Sequence, residues 1–508
     1  MKLETSQQDI KKRITRAVSY VSFATIGIIL LRACFIPLLV RMVSVNEFGN
    51  YSVVLSIVTL TIAFANLGTA TAIQKYVAEK LGNICGELKE VVGSSLTVSG
   101  LIILVVLPLL FVLVYLNIFN FSAGISELLV YGVWIIVLSI LFENLRSILL
   151  GLHLQHISET IRLLLYVIYF GLGATLLFLD FGIKGVFLSY IISLITIVGC
   201  SFKIIISKTD LNSKQNFKST VRFVKPILRF GIWVMCGIVL AEILYQADIL
   251  MIRYFRSSEE TGLYKAALIT TQFIWIFPRI LQDSLLPALS ELWSKQKKHE
   301  IAILLSRGIK YIYLSVLLLG GALFIFGKPF ILFYFGTEYI EAVFPIKILV
   351  IGTACFAISR IYNPLLQASE NLKANLICSG IATLINLILN FFLIRVYGIS
   401  GAAIATSLSY ASLLISKSIV VKARLKLDLL VDILVSRGLV LSISYVGILT
   451  IIKKFATSLH KIELLVAIII SVLLFFVLAR VSNVIDKNDM RLLIDIPFLG
   501  KIIKFVGK

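Results

Sequence analysis

The sequence predicts an all-α polytopic membrane protein with 14 transmembrane helices: two pseudo-symmetric six-helix lobes plus two extra C-terminal helices. Three observations carry this. Charged residues make up 15% of the 508 and hydrophobic ones 59%, against roughly 25% charged in a soluble domain. Apolar runs long enough to cross a bilayer recur along the whole chain, at about 20 residues per crossing. The chain also repeats itself, with matching passages 213 and 216 residues apart. The runs lack the apolar–polar alternation of a membrane barrel, so the spans are helices.

Each element follows in order. Residues 1–17 are polar and basic, with "KKRITR" ahead of the first span. They predict a cytoplasmic interfacial N-terminus and, lacking a small-residue cleavage site, no cleaved leader. Spans 1–6 lie near 18–40, 51–74, 92–116, 128–150, 160–179 and 183–206, making an N-lobe over 18–206. Only the turn "DFGIK" separates the fifth span from the sixth. A basic, polar stretch at 207–225 predicts a cytoplasmic linker. Spans 7–12 lie near 228–252, 263–288, 309–326, 344–366, 374–394 and 399–420, making a C-lobe over 226–421. Spans 13 and 14, near 434–452 and 462–479, occupy 422–481 and stand outside the repeat. The tail, 482–508, mixes apolar residues with Lys501, Lys504 and Lys508. It predicts an amphipathic basic cytoplasmic helix on the anionic inner leaflet.

The net charge of +21 would suggest nucleic acid as a partner in a soluble protein. Here the positive-inside bias accounts for it, and no nucleic acid is expected. With both termini cytoplasmic, inner segments hold 36 of the 48 Lys and Arg residues, outer loops hold 11, and Arg32 is the last. That orients a multi-pass protein in the cell (plasma or inner) membrane. Five cysteines (Cys34, Cys200, Cys236, Cys355 and Cys378) fall inside apolar runs and Cys85 in a short loop, which is neither a disulfide framework nor a metal spacing. His153 and His156 have no Cys, Asp or Glu at ligand distance, so no metal is expected. No GxxxxGK[ST] occurs, which argues against direct ATP use.

The repeat divides the chain. "NEFGNYSVV" after span 1 matches "EETGLYKAA" after span 7, with Gly49 and Tyr51 on Gly262 and Tyr264. "LLGLHLQHISETI" from Leu149 matches "LLQASENLKANLI" from Leu365, and that register runs without gaps until Gly182, Ile183 and Gly185 meet Gly398, Ile399 and Gly401. Each copy crosses the bilayer six times, so both lobes keep one orientation about an axis along the membrane normal. This is a transporter architecture, with a site expected between the lobes near mid-membrane.

The passages "EFGNYS" (Glu47 to Ser52), "GTATAIQKYVAEK" (Gly68 to Lys80), "QADILMIRYF" with "TGLYKAA", and "LLPALSEL" resemble those of polysaccharide flippases. This is the lipid-linked oligosaccharide (Wzx-like) group. It shares the multidrug/oligosaccharidyl-lipid/polysaccharide exporter superfamily with the MATE exporters and the peptidoglycan-precursor flippase. The resemblance implies a MATE-like fold in which two lobes alternate access to a cavity lined by spans 1, 2, 7 and 8. It implies a polyprenyl-diphosphate-linked glycan as substrate, moved from the inner to the outer leaflet, and polymerase or glycosyltransferase machinery as partners. A MATE-type cation exporter is the alternative on the same fold. It calls for buried carboxylates, whereas the first lobe places Arg32 mid-span. A membrane glycosyltransferase fits less well, because the longest outer loop, Lys328 to Phe344, carries only Glu338 and Glu341. No catalytic residue and no cofactor are expected. Coupling to H+, Na+ or the membrane potential stays open.

A diphosphate cannot cross hydrocarbon unaccompanied, so it needs fixed cations in a wet cavity. Arg32 lies near the middle of span 1, with Ser22 and Thr25 on its face. It reads as a phosphate ligand or as a cation neutralised by a structural partner. Glu242 on span 7 is the candidate partner, or a proton carrier, with Tyr245 and Gln246 beside it. Asp248 falls on another face and reads as packing or a loop-end contact. On span 8, Gln272, Trp275, Arg279 and Asp283 form a polar stripe. Arg279 is a second diphosphate ligand or half of an ion pair with Asp283. Its counterpart in the first copy is Asn66. Glu143 with Arg146 is expected to pair, Arg360 and Asn363 hold the related place on span 10, and Asn386 with Asn390 to bridge helices.

Overall fold

In the computed structural model the described residues are 2–81, 85–116, 122–209, 222–427, 432–456, 461–482 and 484, and no strand occurs among them. Most of the expected linker and nearly all of the expected interfacial tail lie outside the described residues, as do the side chains of the N-terminal segment.

Helix α1 (Lys2–Met42) carries Pro37 in its interior. Helix α2 (Val45–Ala65) opens on a capping box in which Ser44 Oγ accepts from the Glu47 N–H at 3.3 Å and Glu47 accepts from the Ser44 N–H at 2.9 Å. After α2 the backbone turns through Leu67 (φ 49°) and Gly68 (φ 64°), and α3 (Thr69–Lys80) resumes the same span. Next come α4 (Cys85–Tyr115), α5 (Ala123–Gly151), α6 (Gln155–Phe178) and α7 (Gly182–Thr209). The second copy begins with α8 (Val224–Phe255) and α9 (Ser258–Gln272). A 3₁₀ turn at Phe273–Trp275 then leads into α10 (Ile276–Ser294), so predicted span 8 is two helices rather than one. Helix α11 (Lys298–Tyr334) kinks at Phe326, three residues before Pro329. The ring of a proline clashes with the carbonyl one turn back, which accounts for the bend. Short helices α12 (Val343–Ser359) and α13 (Tyr362–Ala368) precede α14 (Leu372–Leu425), whose one non-helical residue is Gly398. Helices α15 (Asp432–Ala456) and α16 (Lys461–Val481) complete the described order.

Ten segments among the described residues are long and apolar enough to cross a membrane. They coincide with predicted spans 1–7, 9 and 10, and with 11 and 12 joined in α14. The protein is an all-α multi-pass membrane protein.

The repeat is written into backbone detail. Ser257 Oγ accepts from the Glu260 N–H at 3.1 Å, 213 residues after Ser44 and Glu47, so the second copy repeats the serine half of the cap while the Glu260 carboxylate takes Arg256. Gly182 (φ 55°) and Gly398 (φ 56°) make the same left-handed turn 216 residues apart. The register is not gapless, however. The preceding turns pivot on His153 (φ 59°) and Glu370 (φ 59°), a separation of 370 − 153 = 217. The second copy therefore has one residue fewer between these points, absorbed where α14 continues as helix and the first copy makes a turn at Asp180.

Contacts divide the chain into two compact units: Met1–Ala266, Tyr334–Tyr339 and Thr383–Ala402; and Ala267–Phe333, Ile340–Ala382 and Ala403–Lys508. In the first, α6 packs on α1 and α7, and α5 on α2, α3, α4 and α7. Phe35 stacks on Phe170 at 4.8 Å, and Gly173 leaves the space Phe35 fills. The repeated glycines meet each other. A Cβ on Gly49 would lie 1.7 Å from the Ser258 carbonyl oxygen, and one on Gly262 would lie 2.4 Å from that of Val45. Helices α2 and α9 thus touch backbone to backbone, as small residues permit in a membrane. In the second unit, α15 and α16 pack on α11 through Leu314, Leu441, Tyr445, Leu449 and Phe475. Tyr313 adds a 2.6 Å hydrogen bond to the Gly438 carbonyl.

Candidate functional site

Arg32 sits 12 residues, about 18 Å of helix rise, beyond Tyr20, the start of its span. A guanidinium at such depth costs about 2.5–3.5 kcal/mol on insertion scales. Pro37 shapes the backbone beside it. Having no N–H, Pro37 leaves the carbonyl of Ala33, one turn back, without its helical donor. Tyr334 supplies the replacement, its hydroxyl donating to Ala33 O at 2.9 Å.

Around Arg32 in this unit stand side chains from four elements. Arg32 acts electrostatically on Tyr51 of α2, Tyr166 of α6, Lys265 of α9 and Tyr334. The guanidinium is exposed rather than packed away. It makes no hydrogen bond or ion pair with any described residue, so the expected Arg32–Glu242 pair is not formed. The cation that Glu242 does act upon is Lys265. Glu242 itself is half-buried and accepts a long 3.5 Å contact from Gln246, whose Oε1 takes the Ser56 hydroxyl proton at 2.9 Å. Tyr245 is half-buried alongside. The arrangement places an arginine, a lysine, one carboxylate and several phenols in a single unit. Of these groups only the Arg32 guanidinium is permanently charged, which suits an anion flanked by hydroxyl groups.

Lys265 was not among the residues singled out from sequence. It follows Tyr264 in "TGLYKAA" and aligns with Ser52 at the 213 offset. A cation two residues inside an apolar run reads as a loop end, and only the packing of α9 against α2 brings it near Arg32.

Asn66 caps α2 at the helix break. Its Oδ1 accepts from Thr69 Oγ1 at 2.7 Å, and that hydroxyl also lies 3.0 Å from Asn144. It belongs to the polar support of the break, a different place from the one the repeat suggested. Thr25 is likewise engaged elsewhere, accepting from Arg162 at 2.8 Å. That contact belongs to a network at the end of α5. Glu159, 2% exposed, bridges Arg146 at 2.8 Å and Arg162 at 2.7 Å, while Glu143 meets Arg146 at 3.3 Å as expected. Asp248 is packing, as read: it accepts from Tyr264 at 2.8 Å and Asn390 at 2.6 Å, and Asn386 bonds Asn390 at 3.0 Å.

The remaining candidates lie in the second unit. Trp275 packs tilted against Phe356 with ring centres 4.9 Å apart, Gln272 is half-buried, and Arg279 is exposed with no hydrogen bond or ion pair to a described residue. The side chain of Asp283 lies outside the described residues. Lys417, 3% exposed, donates to Asn363 at 2.6 Å, a buried cation that the apolar context of span 12 concealed.

Comparison with known proteins follows the same line. A family profile described as "Polysaccharide biosynthesis protein" matches residues 14–293. The probable low-salt glycan biosynthesis flippase Agl15 of Haloferax volcanii is 28% identical over 164 residues, 32% of this chain and 35% of that relative. Among solved structures, the lipid II flippase MurJ in an inward closed conformation aligns with a TM-score of 0.74 at 18% identity, over 91% of this chain and 98% of that one. An inward-facing multidrug resistance MATE family transporter aligns with a TM-score of 0.63 at 11% identity, covering 78% and 94%. These structures share the fold.

Proposed function

The chain belongs to the polysaccharide biosynthesis protein family, and from that premise we propose that it is a flippase for a polyprenyl-diphosphate-linked oligosaccharide. It moves the headgroup from the inner to the outer leaflet for cell-surface glycan assembly, by alternating access of two lobes comprising 18–206 and 226–421. Arg32 and Lys265 take the diphosphate. The phenols and Gln246 face the sugars, and Glu242 keeps Lys265 from binding the headgroup irreversibly or carries a coupling ion. Arg279 is a further diphosphate ligand. Both termini are cytoplasmic, as the basic segments require.

The observation that carries this reading is the sign of the charge. Arg32 is exposed mid-span without a bonded carboxylate among the described residues, and it acts electrostatically on a second basic side chain, Lys265. A MATE-type exporter of organic cations would place its carboxylates there. The match to Agl15 and the fold shared with MurJ support the same direction. Energetics permit it: two negative charges leaving an inside-negative cell gain about 2.3 kcal/mol each per 100 mV. The membrane potential then biases export without nucleotide hydrolysis. The chain acts as a carrier, not an enzyme.

Surface glycan in the host tests the proposal. Arg32→Ala is expected to abolish it at normal protein level, and Arg32→Lys to keep part of it, since an ammonium retains charge but not the planar fork. Undiminished glycan in the Ala variant removes Arg32 from the site.

A further inference from the structure

A groove of about 410 Å³ lies in the first unit where the start of α8 passes α3, lined by Tyr76, Lys225, Pro226, Arg229, Phe230 and Trp233. Lys225 and Arg229 of the groove lie more than three helical turns along α8 from Glu242. Its walls are fixed by another close approach: a Cβ on Gly68 would sit 2.2 Å from the Gly231 carbonyl oxygen, and one on Gly231 2.4 Å from that of Leu67. Lys225 and Arg229 are one turn apart, so they project from one face. Both are exposed, and neither makes a hydrogen bond or ion pair with a described residue. Lys75, in a 3.8 Å ion pair with Glu79, stands beside them with its Nζ 4.3 Å from the Phe230 ring centre. Trp233 is 71% exposed beside them.

We infer that this groove holds the phosphate headgroup of an anionic phospholipid of the inner leaflet. Lys225 is the second residue of α8, at the membrane boundary, where lipid phosphates lie. Aromatic side chains settle at that level, and basic pockets between spans take anionic headgroups there. A sugar-bearing diphosphate fits less well. Hydroxyl groups need carboxylates or amides to accept and orient their protons, and the lining has neither. The occupant is therefore a bilayer lipid and not the cargo. Bound there, it balances Lys225 and Arg229 of α8, which have no hydrogen-bond or ion-pair partner among the described residues. The inference rests on the inside-facing orientation proposed above, but not on the cargo assigned.

The test uses the full chain in phosphatidylcholine vesicles containing brominated lipid, which quenches tryptophan on contact. The Trp233→Phe variant identifies the Trp233 component. Brominated phosphatidylglycerol is expected to quench that component more than brominated phosphatidylcholine at equal content. Lys225→Gln and Arg229→Gln should each reduce the preference by about fivefold, and raising the salt should weaken it in the unaltered protein. Equal quenching by the two lipids overturns the inference, and so does a preference that survives the double variant or high salt. Displacement of phosphatidylglycerol by stoichiometric polyprenyl-diphosphate sugar also overturns it, in favour of a cargo entry site. Arg32→Ala is expected to keep the preference. If that variant transports normally while the preference stands, the transport reading falls and this site remains.

Discussion

At the scale of single residues, the chemistry turns on which charges are balanced and which are not. Glu159 lies between two arginines, and Asp248 takes its hydrogens from Tyr264 and Asn390. Those groups are settled structurally. Arg32 has no such partner among the described residues, and Glu242 has a long amide contact at 3.5 Å beside its electrostatic interaction with Lys265. Replacing Glu242 with Gln keeps the contact to Gln246 but removes an ionisable group. Transport by this variant is expected to lose dependence on pH or Na+, measured as uptake rate across a pH and Na+ series. A profile matching the unaltered protein leaves Glu242 only the task of positioning Gln246. Sequence disclosed Arg32 and Glu242 because each interrupts an apolar run. It did not disclose Lys265, whose place depends on a backbone contact between α2 and α9 that no local pattern encodes.

At the scale of elements, proline and glycine decide the local geometry. Tyr334→Phe leaves the Ala33 carbonyl without a donor, at a cost of about 1–3 kcal/mol. Pro37→Ala restores the helical N–H, so the two changes should not add. Thermal unfolding of the single and double variants measures this coupling, and strictly additive shifts contradict the assignment. Gly49→Ala drives a methyl group into the Ser258 carbonyl and should destabilise by at least the 1–3 kcal/mol typical of overpacking. An unchanged melting temperature would mean the two helices separate freely. The spans themselves were legible in hydropathy, and the repeat in Gly49, Gly182 and their counterparts. The interruptions were less so. Leu67 adopts φ 49° with nothing in its side chain to announce it. The 3₁₀ turn at Phe273–Trp275 lies one turn before Pro278, which has no N–H for the Ile274 carbonyl, a signal that hydropathy alone passes over.

At the scale of the whole molecule, an all-helical membrane fold, family membership and an exposed mid-span arginine support the proposal of an anionic headgroup as cargo. Composition conveyed the first of these, because a membrane imposes its rules on every residue of a span. The headgroup is a matter of a few side chains from distant parts of the chain, and sequence conveys it only in part. The direct measurement is equilibrium binding to the purified protein of a polyprenyl-diphosphate sugar, against the corresponding monophosphate, in the unaltered chain and in Arg32→Ala and Lys265→Met. The unaltered chain should favour the diphosphate. Each variant should lose about tenfold or more of that preference, as expected for a charge-assisted hydrogen bond. Equal affinity for the two lipids, or a preference untouched by both substitutions, would contradict a diphosphate held between Arg32 and Lys265.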